Sequence, residues 1–283
     1  NGRQIERKRY SYERNYNSGI ETVKKLVEEF DKLCNESCSV GVGIPGFSSK
    51  ETGLITNANS LWLNDKPFEK DLQTVLNRKI KLMNDANCFT LSEAVDGAGK
   101  DYQSIFGIII GTGFGGALSY KKEIIEGSNQ IAGDWGHQPL PYPTKEEQET
   151  MINCPSMNCG RPLCAEQFMS GIGFKDRFNQ KYNTDFSSEE IVQLDFDKDP
   201  RANLELCLYE DRMARLMAVM IGIFDPDAII LGGGMSNIDR FYKNIPSLIP
   251  KYTFSNKVET KVLKNLHGDS SGVRGAAWLW NNG

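Results

Sequence analysis

Two short segments constrain the fold more than any others: SIFGIIIGTGFGG at 104–116 and DPDAIILGGGMSN at 225–237. Each is an almost continuous apolar run that ends in a cluster of glycines. A strand that is apolar on both faces needs cover on both faces, as strands of α/β sheets have. Helical patterns supply that cover. SGIETVKKLVEEFDKLC (18–34) and DRMARLMAVMIGIF (211–224) carry apolar residues at helical spacing. SGVRGAAWLW (271–280) reads as a terminal helix whose small residues allow close packing. SVGVGIPG (39–46) is a short strand running into Gly and Pro, and KIKLMNDANCFTLSEAV (79–95) reads as strand, turn and helix. The expected class is α/β, in two lobes: a smaller one over 1–104 and a larger one over 105–270. The terminal helix, about 271–283, is expected to pack back on the first lobe.

In open α/β sheets, ligands collect at the carboxyl ends of strands, which is where both glycine clusters lie. Amides freed by glycine can approach phosphate oxygens, and a following helix N-terminus adds a favourable dipole. Taken singly, either cluster reads as a tight turn needing positive φ. Two of them, each directly after a buried strand, point to a nucleotide. No GK[ST] follows either cluster, so neither is a Walker A loop, and GTGFGG lacks the context of a dinucleotide fingerprint.

The formal net charge of −4 gives no general attraction to a polyanion, so no nucleic-acid partner is expected. The apolar runs FGIII and LMAVMIGIF are far shorter than the roughly 20 residues of a membrane span. The opening NGRQIERKRYSYERNYN has no apolar core of a signal peptide. A cytoplasmic protein without membrane contact is therefore expected. Its seven cysteines should be core thiols or metal ligands rather than disulfides.

Two groups of residues carry chemistry. The first is NDAN at 84–87, between a strand and a helix. Asp85 there is either a capping or turn residue, or a general base at a strand's end, flanked by the directional donors and acceptors of Asn84 and Asn87. The second is NCPSMNCGRPLCAE at 153–166, with Cys154, Cys159 and Cys164 in C-x4-C-x4-C spacing, downstream of His137 in GDWGH. One histidine and three thiols are the four ligands of a closed structural zinc site. The alternative is a loop of buried free thiols.

Taken in order, NDANCFTLSEAVDG, IIGTGFGG, GDWGHQPLP, NCGRPLCAE, DPDAIILGGGMSN and HGDSSGVRGAAWLW resemble the ROK family of sugar kinases and repressors. GIPGFSSKETGLITNANSLWL (43–63) adds to a resemblance that is nearest to bacterial fructokinases with mannokinase activity. The resemblance implies an actin-like ATPase (ribonuclease H-like) fold, two α/β domains around a central cleft. It also implies ATP-dependent phosphorylation of a hexose, expected to be fructose, with mannose as a second substrate. Asp85 matches the catalytic base. Asn84 and Asn59 match sugar ligands, as do Asp134 and His137 of the family's ExGH motif and Glu166 after the last cysteine; here Asp134 is one methylene shorter than the usual Glu. Gly111, Thr112 and Gly113, with Gly232, Gly233 and Gly234, match contacts to ATP. Mg²⁺ and a structural Zn²⁺ are the implied metals, and a homodimer the implied assembly.

Two departures stand out. The family's metal loop reads C-x-C-G-x-x-G-C-x-E, but Met157 occupies its first cysteine position and Leu163 its last glycine. Cys154 is expected to take over as ligand. The family also begins with a DxGxT phosphate loop, and no such sequence occurs in the 283 residues. The first residues correspond to a point after that loop, so a preceding segment is expected. The alternatives are a glucose or N-acetylglucosamine kinase, a sugar-responsive repressor, for which no helix-turn-helix is visible, and an inactive sugar binder, against which Asp85 speaks.

Overall fold

The computed structural model describes residues 2–152 and 159–280. Helix α1 (Tyr16–Cys34) begins at Asn15, whose side chain accepts from Ser18 N, and stops at Asn35 in the left-handed conformation. Ile20, Val23 and Val27 recur at helical spacing and pack on a small core. That core is built by strands β1 (Val40–Ile44) and β3 (Ile55–Thr56), helix α2 (Phe68–Leu76) and strand β4 (Ile80–Asn84), with strand β2 (Phe47–Ser48) between β1 and β3 in the chain. β1 and β4 pair in parallel; β2 and β3 form a short antiparallel hairpin. β4 runs straight into helix α3 (Asp85–Val95), with Asn84 as the cap. The turn expected between them is thus a single residue.

A five-stranded mixed sheet follows, in the order β7-β6-β5-β8-β9. Its first strands are β5 (Ser104–Ile110), β6 (Phe114–Tyr120) and β7 (Glu123–Ile125). Helices α4 (Lys145–Ile152), α5 (Ala165–Met169), α6 (Gly171–Tyr182), α7 (Ser188–Phe196) and α8 (Pro200–Phe224) come before strand β8 (Ala228–Gly232). Helix α9 (Arg240–Leu248), strand β9 (Lys261–Lys264) and helix α10 (Ser271–Trp278) complete the order. β5, β8 and β9 are mutually parallel, and β6 and β7 antiparallel.

The continuous hydrophobicity of β5 and β8 has the expected cause, since the sheet is covered on both sides. Phe106, Ile108, Ile110, Ile229 and Leu231 point into the large core with α5, α6 and α8. Ile105 and Ile230 alternate to the other face, where they meet Phe89 and Ala94 of α3. A longer helix than expected fills the first side: α8 starts at Pro200, behind the cap of Asp199, rather than near 211. The short edge strands β7 and β9 had no distinct sequence signal. Among the described residues, no helix is long and apolar enough to cross a membrane.

Candidate functional site

Asp85 is the first residue of α3, and its position follows from the packing of that helix. Gly99, just beyond the far end of α3, lies against Ile105 at the start of β5. Thr90, in the middle, lies against Gly107. The helix therefore runs antiparallel to β5, and its N-terminus points toward the carboxyl end of that strand. Asn84 Oδ1 accepts from Ala86 N at 2.9 Å and Asn87 N at 3.3 Å, and Asp85 Oδ1 accepts from Ala86 N at 2.8 Å. Asp85 thus helps to finish the helix end, as the capping reading expected, and its side chain stays accessible. The residue is solvent-accessible, yet its carboxyl is surrounded by enough protein that burial, the first cause, raises its pKa above the usual Asp range, against the pull of the Ala86 amide. An accessible group in a dense surround lies in a concavity. A carboxylate there is a better base than an ordinary aspartate.

The loop carrying Asn59 reaches the same place through backbone contacts. Asn84 Nδ2 donates to Gly46 O at 3.2 Å, and Gly46 packs against Thr56 and Ala58. Asn64 holds Ala58 from outside, accepting from its N–H and donating to its carbonyl, both at 2.9 Å. Asn59 itself is exposed. Asn64 and Gly46 carried no separate signal, because a side chain that mimics a strand partner has no fixed sequence spacing.

The two glycine turns come together because β5 and β8 are parallel neighbours, with Ile109 opposite Gly232. Gly233 has φ +82°, and a Cβ there would collide with Ile110 O. Around Gly111 and Gly234 a Cβ would meet open space, and Thr112, Gly233 and Gly234 are exposed. The N-terminus of α6 joins them: Gly171 N donates to Gly111 O at 2.8 Å, and Ser170 caps the helix by accepting from Gly173 N. Exposed amides beside a helix N-terminus can cradle phosphate oxygens. α6 was not anticipated as part of this cradle.

The remaining polar residues form a third group. Phe114 N donates to Glu166 Oε2 at 3.3 Å, which ties Glu166 to the turn between β5 and β6. Glu166 N donates to Gly136 O at 2.8 Å, and Ala165 N to Gln138 O at 2.9 Å, zipping the cysteine segment onto GDWGH. Trp135 anchors that segment between Phe106 and Phe114, at centroid distances of 4.7 and 5.2 Å. Asp134, His137 and Glu166 feel one another's charge. Burial is the first cause raising Asp134, with His137 opposing and Glu166 adding. His137 is raised to about 9, first by its hydrogen bond to Cys164 and further by Glu166 and Asp134, against burial. A further tether is a reciprocal cap, Thr144 N to Glu147 Oε2 at 2.9 Å and Glu147 N to Thr144 Oγ1 at 3.2 Å. The buried Glu147 then binds Arg212 and Arg215 of α8 at 2.6 and 2.8 Å. The T-x-x-E spacing of a capping box was the signal for it.

His137, Cys159 and Cys164 present ligand atoms within 4.8 Å of one another. Cys159 Sγ is 3.7 Å from Cys164 Sγ, which is 3.6 Å from His137 Nδ1. A tetrahedral Zn²⁺, with Zn–S about 2.3 Å and Zn–N about 2.0 Å, holds two sulfurs about 3.8 Å apart and a nitrogen about 3.6 Å from a sulfur. The three residues fit the ion. Cys154, the expected fourth ligand, and Met157, which occupies the family's cysteine position, lie outside the described residues.

The model of the ROK family matches residues 1–282. An N-acetyl-D-glucosamine kinase of Vibrio cholerae is 35% identical over 263 residues, covering 92% of this chain and 86% of that protein. A ROK family glucokinase from Streptomyces griseus, solved with glucose and AMPPNP, superposes with a TM-score of 0.81 at 20% identity, over 100% of this chain and 93% of that one. A ROK family transcriptional regulator, a homologue of the E. coli MLC protein, gives 0.77 at 18% identity, over 93% of this chain and 68% of that one. The fold is thus the expected actin-like one. The expected fructose preference finds no support in these relatives, which favour the N-acetylglucosamine alternative. The motifs that carry the resemblance were matched to phosphate and sugar ligands in general, and such a match does not distinguish one hexose from another.

Proposed function

The chain belongs to the ROK family, and on that premise we propose that it transfers a phosphoryl group from ATP to N-acetyl-D-glucosamine. The observation that carries the chemistry is the accessible, burial-raised carboxylate of Asp85, aimed toward the end of the sheet where the glycine turns lie. The choice of sugar rests on the similarity to N-acetyl-D-glucosamine kinases over nearly the whole chain.

Asp85 takes the proton of the attacking sugar hydroxyl. Asn84, Asn59, Asp134, His137 and Glu166 hold the ring through donors and acceptors suited to a polyol. The amides of Gly111–Gly113 and Gly232–Gly234 hold ATP, which with Mg²⁺ supplies the transferable group. Such a reaction depends on alignment and charge stabilisation more than on covalent help. His137, Cys159 and Cys164 hold a structural Zn²⁺, with Cys154 as fourth ligand. With one nitrogen on such a metal, the other nitrogen of His137 would remain for a sugar hydroxyl. The lobes divide near residue 104, on either side of the cleft.

The test is to incubate the full-length protein with Mg-ATP and N-acetyl-D-glucosamine and to follow the product by phosphorus NMR. A sugar phosphate formed in step with ADP supports the reading. ATP hydrolysis alone, or no turnover with any hexose, refutes it.

A further inference from the structure

Glu93 is among the buried acids that the steps above leave unused. Glu93 lies on α3, eight residues after Asp85, and is fully buried. Its carboxylate accepts four hydrogen bonds. Oε2 receives Ala98 N at 2.9 Å and Leu266 N at 3.0 Å; Oε1 receives Ser271 Oγ at 2.7 Å and His267 N at 3.4 Å. Three of the four donors belong to the 266–271 segment, which joins β9 to α10.

That segment is also fastened to the second glycine turn. Asn265 Nδ2 donates to Leu231 O at 2.9 Å and to Ser236 Oγ at 3.1 Å, and Ser236 Oγ donates to Gly233 O at 2.6 Å. A continuous series of hydrogen bonds and one peptide link therefore runs from Gly233 to the helix that carries Asp85. Along its length, α3 is packed antiparallel on α10: Ser271 meets Glu93, and Gly275 lies so close to Cys88 that a Cβ would collide with its carbonyl. The apolar part of this contact, Cys88, Leu91, Ala276 and Leu279, is non-directional, and packed helices can slide along it by small shear. Four hydrogen bonds to one carboxylate are directional and resist sliding.

We propose that Glu93 is a positioning residue, which fixes the axial position of α3 against α10 and the 265–271 segment. It thereby sets the height of the Asp85 carboxylate relative to the turn at Gly232–Gly234. The proposal rests on the reading of Asp85 as base and of that turn as part of the ATP site. Only a carboxylate fills the role, because it accepts on both oxygens. A glutamine in either orientation sets its NH₂ against a backbone N–H that it cannot accept.

The test uses Glu93→Gln and Ser271→Ala in the full-length protein, read by amide hydrogen exchange and by steady-state kinetics. In Glu93→Gln, exchange should rise at 265–271 and also at 84–90, while 105–110 and 228–232 stay protected. Misalignment without lost contacts should lower kcat roughly 10- to 100-fold, with both KM values within about threefold of the parent. Ser271→Ala removes one donor of four and should shift both readouts the same way by less; it carries the test if Glu93→Gln does not fold. Faster exchange confined to 93–98 and 265–271, or an unchanged kcat, overturns the proposal. If the parent turns over no hexose, the kinase reading falls, and exchange at 84–90 still decides whether Glu93 holds the helix end.

Discussion

The N-terminus of α3 and the loop around Cys164 present polar side chains to the same end of the large sheet, yet they are held by different means. At α3 the fixing contacts are made within the chain: Asn84 caps the amides of Ala86 and Asn87, Asp85 shares the first of them, and Glu93 gathers four donors at the far end. At the cysteine loop, the contacts among His137, Cys159 and Cys164 are 3.6–3.7 Å. Those distances are ordinary for the weak hydrogen bonds of sulfur, and they also suit a shared metal. Thiols are weak donors, so these contacts alone would hold the loop poorly. On the proposed reading, the difference teaches that the base would be prepared by the fold alone, whereas the side chains of the cysteine loop would need a metal to complete what the backbone bonds to Gly136 and Gln138 begin.

The strongest way to break this comparison is at the base. Asp85→Asn should lower turnover by roughly 10²- to 10⁴-fold while calorimetry still detects sugar binding; retained turnover would remove Asp85 from its role. Next comes the metal. Cys164→Ser, or stripping by a chelator, should abolish zinc in elemental analysis and raise the sugar KM at least about tenfold, with the KM for ATP little changed. A protein purified without zinc that keeps a normal sugar KM would mean that the loop needs no ion.

A smaller effect separates the two regions by pH. In metal-free protein His137 is raised from 6.5 to about 9. A raised folded pKa gives stability that is complete below about pH 6.5 and lost as the pH climbs through about 9. Zinc takes the place of that proton. The melting temperature of stripped protein should therefore fall relative to zinc-loaded protein between these values, and parallel curves would contradict the assignment. The raised pKa of Asp85 works the other way on activity: kcat/KM should fall on acidification at a pH above the ordinary aspartate range. The smallest effect concerns the glycine turns. Gly233→Ala, with its positive φ and its clash with Ile110, should cost about 1–3 kcal/mol of stability, whereas Gly111→Ala, facing open space, should leave stability nearly unchanged. Equal losses in thermal melts would show that the two turns are alike.

The sheet and the α3 end were largely legible in the sequence, because uninterrupted apolar runs and glycine clusters are local signals. The α/β class, both glycine turns and the strand-to-helix step at Asp85 follow from contiguous residues. What escaped was made by distant partners. Glu93 reads as a helix residue until Leu266 and Ser271 are seen beside it, and Asn64 as loop until Ala58 is. The edge strands β7 and β9 are too short to show a period. Choice of hexose escaped for another reason: it depends on the shape of a pocket whose motifs are common to kinases of several sugars.

The most direct test of the central claim is the ratio of kcat/KM values for N-acetyl-D-glucosamine and fructose, measured by ADP release with full-length protein under the same conditions. A ratio well above one, with glucose and mannose below N-acetyl-D-glucosamine, is the predicted result. A ratio below one would restore fructose as the substrate and contradict the account.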